Sequence, residues 1–449
     1  MSSYPLLATL LSLTLHSAHA APTPDPRYQA GPQADRIVLN IGANAAHELA
    51  VSYRTDLQQQ ETLLELAPAI AGPSIEPHAR RLTGSSQVID SQQGKARYHQ
   101  VELRGLKADT AYVYRVKGHA GWSEWLQMRT AASKERDFSF LYFGDLQNDI
   151  LSHGARTLRQ GISSLASPAL MVHAGDMVAQ REEVDHDDEW GQWTQAGAFH
   201  FAQVPQLIAA GNHEYAEYLD AQGQEKKVLG PHFSRQFKLP TNGAEGLATT
   251  YVSDYQGVRF VVLDGTSALE HGTGALQAKW LEQQLKDSPA RWNIVVQHQP
   301  IYSCARHENP LQNQWEPIYR KYKVDLVLQG HDHCYSRISP TRNPQHTLDG
   351  PVYLVSVTGS KMYATTDKSQ QQATRMAEDT QLYQHIHVGQ SDLRIQAFTA
   401  SGQLYDSIHI HRSSDGYNQL LRHNAPLSPA RMCQQGVSPD GGPCTARSK

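Results

Sequence analysis

At 449 residues the chain is long enough for two or three domains, each with a core of its own. Its 40 basic and 44 acidic residues leave a net charge of −4, so no surplus of positive charge points to nucleic acid. Past the N-terminal segment, no stretch approaches the ~20 apolar residues that a membrane-spanning helix needs, so no membrane partner is expected.

In chain order, residues 6–15 form a short apolar run, and Ser17-Ala18-His19-Ala20 follows it in a small-x-small pattern. This reads as a signal peptide over residues 1–20, cleaved after Ala20 and delivering a secreted or periplasmic protein. No Lys or Arg precedes the apolar run, so the α-amino group alone supplies the leading charge. Residues 21–34 are rich in Pro, Gly and Gln and read as an extended linker. From 35 to 131, apolar and polar residues alternate over 36–41, 48–53, 98–103, 111–116 and 125–129, which predicts an all-β sandwich. The stretch from Leu106 to Tyr112 reads as a fibronectin type III-like corner, with Tyr112 as the corner tyrosine.

A short charged linker at 133–137 leads into a domain taken as 136–412, where strand patterns alternate with helical ones. Residues 276–285 predict a helix whose apolar face carries Leu276, Trp280, Leu281 and Leu285. Late β pattern at 352–358, 383–388, 393–399 and 407–411 precedes a polar tail, 413–449, expected to be irregular. Five apolar runs in this domain, at 138–143, 169–172, 204–210, 294–296 and 324–328, read as buried strands. They lead into Gly144-Asp145, Gly175-Asp176, Gly211-Asn212-His213-Glu214, His298 and Gly330-His331-Asp332-His333. The ends of strands are where α/β sheets place their ligands. Five sets of oxygen and nitrogen donors at five strand ends are not explained by packing.

Four cysteines suit an oxidising compartment and allow three pairings. Cys433 and Cys444 flank a Gly/Pro-rich stretch and can close locally, leaving Cys304 and Cys334 to tie the loops of His298 and His333 together. Two unpaired buried thiols are the other reading, disfavoured outside the cytosol.

The order Gly-Asp, Gly-Asp, Gly-Asn-His-Glu, His, Gly-His-x-His resembles that of the calcineurin-like metallophosphoesterases. The β-domain in front makes the chain similar to the purple acid phosphatase branch, over about residues 35–411. Val51-Ser52-Tyr53-Arg54-Thr55 and Tyr335 belong to the same likeness. The resemblance implies an α/β (α+β) fold, a four-layer αββα sandwich behind the fibronectin III-like one. It also implies two divalent or trivalent metal ions, drawn from Fe, Mn, Zn, Mg and Ca, and a phosphate-ester substrate attacked by metal-bound hydroxide. Asp176 is the implied bridging carboxylate. Asn212, His298 and His331 complete one metal site, and Asp145 and His333 hold the other. Asn212 offers a neutral carbonyl oxygen, which keeps the charge tolerable where an anionic substrate arrives. Asn212, His213 and His307 are the implied substrate contacts, with His213 or His307 protonating the leaving oxygen. Glu214 is assigned to anchoring its loop.

The chain departs from the family pattern at three positions. Gln147 replaces a histidine two residues after the first aspartate, Ala179 replaces the tyrosine that colours the purple enzymes, and Glu308 replaces a second histidine after His307. Without a tyrosinate the protein is expected not to be purple. With Gln147, or a water in its place, the first site is oxygen-rich and favours Mg, Mn, Ca or Fe over Zn.

Other polar residues receive structural assignments. His173 belongs to the core or lies behind the site, and His385, His387, His409 and His411 belong to late strands. The run Glu182, Glu183, Asp185, His186, Asp187, Asp188, Glu189 reads as a solvated loop or helix start. Cys304 is a poor nucleophile candidate, because a disulfide accounts for it. The function expected is a secreted phosphomonoesterase, with a phosphodiesterase of the same fold as alternative. A binding module that has lost turnover, and an adhesin built on the β-sandwich, are the non-enzymatic readings. Specificity is expected to reside in loops at 180–197 and 216–231, and the oligomeric state is not legible.

Overall fold

The computed structural model describes residues 24–179, 187–308, 310–342, 347–414, 416–421 and 428–449. The expected signal peptide, residues 21–23 of the linker, and Glu182, Glu183, Asp185 and His186 lie outside the described residues.

Two sheets stack face to face behind the site. In one, strands Phe138–Phe143, Met171–His173 and Gln206–Ile208 run parallel. In the other, Val258–Val262, Trp292–Val296, Leu326–Gln329 and Val352–Val355 run parallel. Parallel strands covered on both faces need apolar side chains in both directions, which is why these segments read as continuous apolar runs. Phe140, Tyr142, Val172 and Leu207 point into the space between the sheets and meet Phe260, Ile294, Leu328 and Leu354. Leu141, Phe143, Met171 and Ile208 point the other way, onto Leu158, Trp190 and Trp193 of the helices Ala155–Ser164 and Asp187–Gly197. On the far side Val261, Val295 and Val327 meet Leu281, Trp315 and Tyr319 of the helices Gly274–Lys286 and Gln312–Lys321. The order helix, sheet, sheet, helix is the four-layer architecture expected.

Helix Gly274–Lys286 corrects one expectation. Its buried face carries Gln277, Trp280, Leu281 and Leu285, while Leu276 is 40% exposed. Gln277 takes the inward position because its amide accepts from the Asp264 backbone N–H at 2.9 Å and donates to the Asp264 carbonyl at 2.7 Å.

Ahead of this domain, the strands Asp35–Ile41, Leu49–Thr55, Gly94–Leu103 and Ser85–Ser91 form one half of a β-sandwich. Leu63–Pro68, Arg80–Thr83, Ala111–Gly118 and Leu126–Arg129 form the other. Val51, Tyr53, Leu64, Val101 and Tyr114 fill the space between. The hydroxyl of Tyr112 accepts from the Lys107 backbone N–H at 2.9 Å, the contact expected of a corner tyrosine. The strands Arg80–Thr83 and Ser85–Ser91 are mostly exposed, so no apolar alternation announced them. Asp35–Ile41 also runs parallel to Gln206–Ile208, with Asn40 opposite Gln206. The sandwich thereby joins the catalytic layer in one thirteen-stranded sheet.

The tail is only partly irregular. Asn418–Leu421 pairs with Leu404–Arg412, and bridges at Ala377↔Arg431 and Tyr363↔Arg447 lay the tail along the catalytic domain. Backbone pairing with exposed strand edges needs no apolar pattern, so composition did not reveal it. The stretch 216–231 is likewise not a loop but most of a hairpin, Tyr215–Leu219 with Glu225–Leu229. Its turn is closed by the Asp220 carboxylate, which accepts from the Gln222 and Gln224 backbone N–H groups. Cys304–Cys334 and Cys433–Cys444 form disulfides. Among the described residues, no helix is long and apolar enough to cross a membrane.

Candidate metal centre

All five motifs begin within three residues of a strand end, three from the larger sheet and two from the smaller, so the site straddles both. Reaching across that gap requires sharp turns. Asp145, Asp176, His331 and His333 all adopt left-handed backbone, with φ of 41°, 50°, 76° and 49°. Non-glycine residues seldom occupy that region, and such strain gathers where geometry matters more than stability. Gly175, at φ 89°, allows its turn to form, and a side chain there would strike the backbone of Gly211. Gly330 is required by close approach, because a Cβ would collide with the Asp145 carboxylate. That carboxylate accepts from the His331 backbone N–H at 2.8 and 2.9 Å, linking the two sheets across the site.

Two groups of ligand atoms result. Those of Asp176, His298 and His331 lie within 4.8 Å of one another, as do those of Asp145, Asp176 and His333. Asp176 belongs to both. The Nε2 of His298 stands 3.1 Å from Asp176 Oδ2 and 3.1 Å from Asn212 Oδ1, and the Nδ1 of His331 is 3.1 Å from it. The tautomers are set from behind. His298 Nδ1 donates to the Ala174 carbonyl at 2.8 Å and His333 Nδ1 to the Lys361 carbonyl at 3.0 Å, which turns both Nε2 atoms inward. Gln147 Nε2 lies 3.0 Å from Asp176 Oδ2 and 2.8 Å from His333 Nε2, while its Oε1 is buried without a hydrogen-bond partner. Rotating the amide by half a turn would exchange these atoms and place the oxygen among the ligand atoms. The donor set therefore fits two cations, with carboxylate, amide and imidazole on each side.

The electrostatics point the same way. Burial, reinforced by the Asp176 charge, pushes the Asp145 carboxyl well above its ordinary range. Burial works against charge on Asp176 too, but the His298 and His213 imidazoles hold its pKa below the usual carboxylate value. Burial drives His331 well below its usual value, and burial together with Lys361 takes His333 down to about 3. Both are neutral bases at neutral pH. His298 differs: burial opposes its charge, yet Asp176 and Asp145 lift it to about 9. With no cation present, a proton on His298 supplies the positive charge that two buried carboxylates call for.

The neighbouring residues hold this arrangement in place. Glu214 is buried and accepts from the backbone N–H groups of Asp176, Met177 and Gly211 at 2.8, 2.8 and 2.6 Å, so it anchors two loops and does not face the opening. The His213 N–H donates to Asp176 Oδ1 at 2.8 Å, its Nδ1 is held by the Ala179 carbonyl, and its Nε2 lies 3.9 Å from Asp176 Oδ2. His307 is exposed on the loop after Cys304, its carbonyl accepting from Lys368, and is not drawn into either group of ligand atoms. His173 is a core residue bonded to Gln206.

Two acids were misread or passed over in the sequence. Asp332 was given no role, yet it is buried and accepts from Ser303 Oγ at 2.5 Å, the Cys304 N–H at 2.7 Å and Arg306, which shapes the disulfide loop. Asp187 is not solvated. It is 2% exposed and meets Arg36 at 2.8 Å, Arg54 at 3.1 Å, His232 at 3.2 Å and the Tyr98 hydroxyl at 3.1 Å. Its partners sit on the N-terminal sandwich and in the helix Pro231–Gln236, and no local pattern around an acidic run discloses partners so distant in sequence.

Comparison with known proteins agrees with this geometry. Residues 138–335 match the calcineurin-like phosphoesterase family, and residues 34–130 match the purple acid phosphatase N-terminal domain. The chain is therefore built from a calcineurin-like phosphoesterase domain behind a purple acid phosphatase N-terminal domain. An uncharacterised protein of Mycobacterium tuberculosis is 25% identical over 70% of this chain and 65% of its own length. A purple acid phosphatase of Glycine max is 24% identical over 71% of this chain and 70% of its own. The chain thus spans about two thirds of the length of these relatives. The solved structure of PhoD superposes with a TM-score of 0.61 at 14% identity, covering 90% of this chain and 95% of that one, a likeness of fold.

Proposed function

We propose that this protein is a secreted metal-dependent phosphohydrolase that cleaves phosphate monoesters at a dinuclear centre. One observation carries the proposal: the Asp176 carboxylate belongs to two separate groups of ligand atoms at once, as a bridge between two ions must. Asp176, Asn212, His298 and His331 would hold one ion, and Asp145, Asp176, His333 and Gln147 the other. Bound there, the pair supplies charge neutralisation at the phosphate and a water acidified for attack.

The chain's own residues do the rest. Asn212 meets the substrate with a neutral amide and so adds no repulsion. His213, its Nδ1 held by the Ala179 carbonyl, presents Nε2 to a phosphate oxygen or gives its proton to the leaving oxygen. His307, on the exposed loop after Cys304, attends the leaving-group side. Ala179 stands where a tyrosinate would colour the iron enzymes, so the loaded protein is not purple. The two disulfides support secretion, because such bonds persist in oxidising compartments.

Metal analysis of the purified protein, with turnover of p-nitrophenyl phosphate and its bis ester, tests the proposal. The expected result is two metal ions per chain, no tyrosinate charge-transfer band and faster cleavage of the monoester. Asp176→Asn should abolish turnover and lower the metal content. Inactivity with every divalent cation tried would favour the binding-module reading, and faster cleavage of the bis ester would make the enzyme a diesterase.

A further inference from the structure

A cavity of about 980 Å³ opens beside the candidate centre, between the start of helix Ala155–Ser164, the loop at 360–363 and the disulfide-closed tail. It lies behind residues that neighbour the ligands, though no ligand residue lines it. Its Asn148 follows Gln147, and its Lys361 supplies the carbonyl that fixes His333. The ring of its Tyr363 meets the His333 imidazole edge-on at 5.0 Å.

The charges around this cavity do not cancel locally. Its lining carries Arg156, Lys361, Arg431 and Arg447 against three carboxylates, an excess of one positive charge, and among the described residues only Asp440 of the three is ion-paired. Asp149 accepts from Ser360 Oγ at 2.9 Å, Asp379 accepts from the Thr445 backbone N–H at 3.3 Å, and Asp440 pairs with Arg431 at 2.6 Å. Arg156, Lys361 and Arg447 also line it, and none of them has a carboxylate partner among the described residues. Lys361 lies over the Tyr363 ring at 5.5 Å, a contact that leaves its charge uncompensated. Arg447 is delivered by the tail, whose backbone pairs with the loop through Ala364 N–H to the Arg447 carbonyl at 2.9 Å.

We propose that this cavity receives a second anionic group of the substrate, so that the preferred ester carries a phosphate or carboxylate besides the phosphate that is cleaved. The inference rests on the phosphomonoesterase reading and names its substrate class. The scissile phosphate occupies the centre, and the leaving group extends past His333 to Arg156, Lys361 and Arg447. Two of these three side chains, Arg156 and Arg447, are exposed and can be reversed in charge without touching the core. Lys361 is left alone in the test because its carbonyl orients His333.

The experiment compares the metal-loaded wild-type protein with the double variant Arg156→Glu/Arg447→Glu. Substrates are fructose 6-phosphate, fructose 1,6-bisphosphate, 3-phosphoglycerate and p-nitrophenyl phosphate, and calorimetry measures binding of methylenediphosphonate against methylphosphonate. Wild type is expected to favour the bisphosphate, the phosphoglycerate or both over fructose 6-phosphate by about tenfold in kcat/KM, an advantage that salt weakens. The two arms tell a second phosphate from a carboxylate. The variant should lose that advantage through KM, keep its p-nitrophenyl phosphate turnover within about twofold, and bind the diphosphonate no better than the monophosphonate. Equal kcat/KM for charged and uncharged leaving groups, or a variant that slows all substrates alike, would overturn the proposal while leaving the monoesterase reading intact. If no ester is cleaved, the monoesterase reading falls, and calorimetry alone then decides: equal binding of the two phosphonates overturns the anion site as well.

Discussion

At the scale of single residues, the centre concentrates strain and buried charge in a few positions. Left-handed backbone at Asp145, Asp176, His331 and His333 costs about 1–3 kcal/mol each, and hydrogen bonds from Glu214 and across the Asp145–His331 contact hold it in place. Two histidines away from the ligand set make the fold sensitive to acid. His99 is stacked on Tyr53 at 4.5 Å and bonded through its ring nitrogens to Thr55 and Thr62 at 2.8 Å each. Burial takes its pKa down to about 4, and burial does the same to His173. Above the ordinary histidine value both states hold these rings neutral, and nothing changes with pH. Between that value and about 4 the unfolded chain gains protons that the folded chain refuses, so stability falls as pH drops. The loss for His99 approaches about 3 kcal/mol at the low end of that window. Urea denaturation from pH 7.5 to 4.5 should show a falling midpoint, with a shallower fall in His99→Gln.

At the scale of elements, the informative unit is the helix Asp187–Gly197. Its first residue is tied to Arg36 and Arg54 on two strands of the sandwich. Two residues on, the Glu189 carboxylate accepts from the Ala179 N–H at 2.6 Å, and the Ala179 carbonyl holds His213. A path of hydrogen bonds therefore runs from the N-terminal sandwich to the His213 imidazole beside Asp176. Arg36→Ala strands the Asp187 carboxylate with fewer partners in a dry interior, a change expected to cost about 3–5 kcal/mol. Chemical denaturation reads that loss. If the path also positions His213, turnover at a temperature where the variant stays folded should fall as well.

At the scale of the whole molecule, the two matched domains share a sheet. Strand Gln206–Ile208 has Asp35–Ile41 as its outer neighbour, so removing the sandwich bares a strand edge and orphans Asp187 together. Open edges recruit other chains. A fragment from 132 onward is expected to aggregate where the full chain does not, as size-exclusion chromatography of the two would show. The same arrangement explains what could be read in advance. The strands under the five motifs were visible because burial on both faces demands unbroken apolar runs, and Asp145, Asp176, Asn212, His298, His331 and His333 were visible because each stands where such a run ends. Asp187, Asp332 and Gln277 were not, because each is buried by partners that no local pattern announces.

By itself, then, the sequence determined the buried strands, the ligand candidates and the departure at Gln147, since strand period, strand ends and residue chemistry are local properties, while the layer order came with the family resemblance. Only the tertiary structure decided that Asp176 faces two groups of ligands, that Asp187 is an interior anchor, and that the tail brings Arg447 to the edge of the centre. Those outcomes depend on distances between segments far apart in the chain, which packing sets and no single stretch encodes.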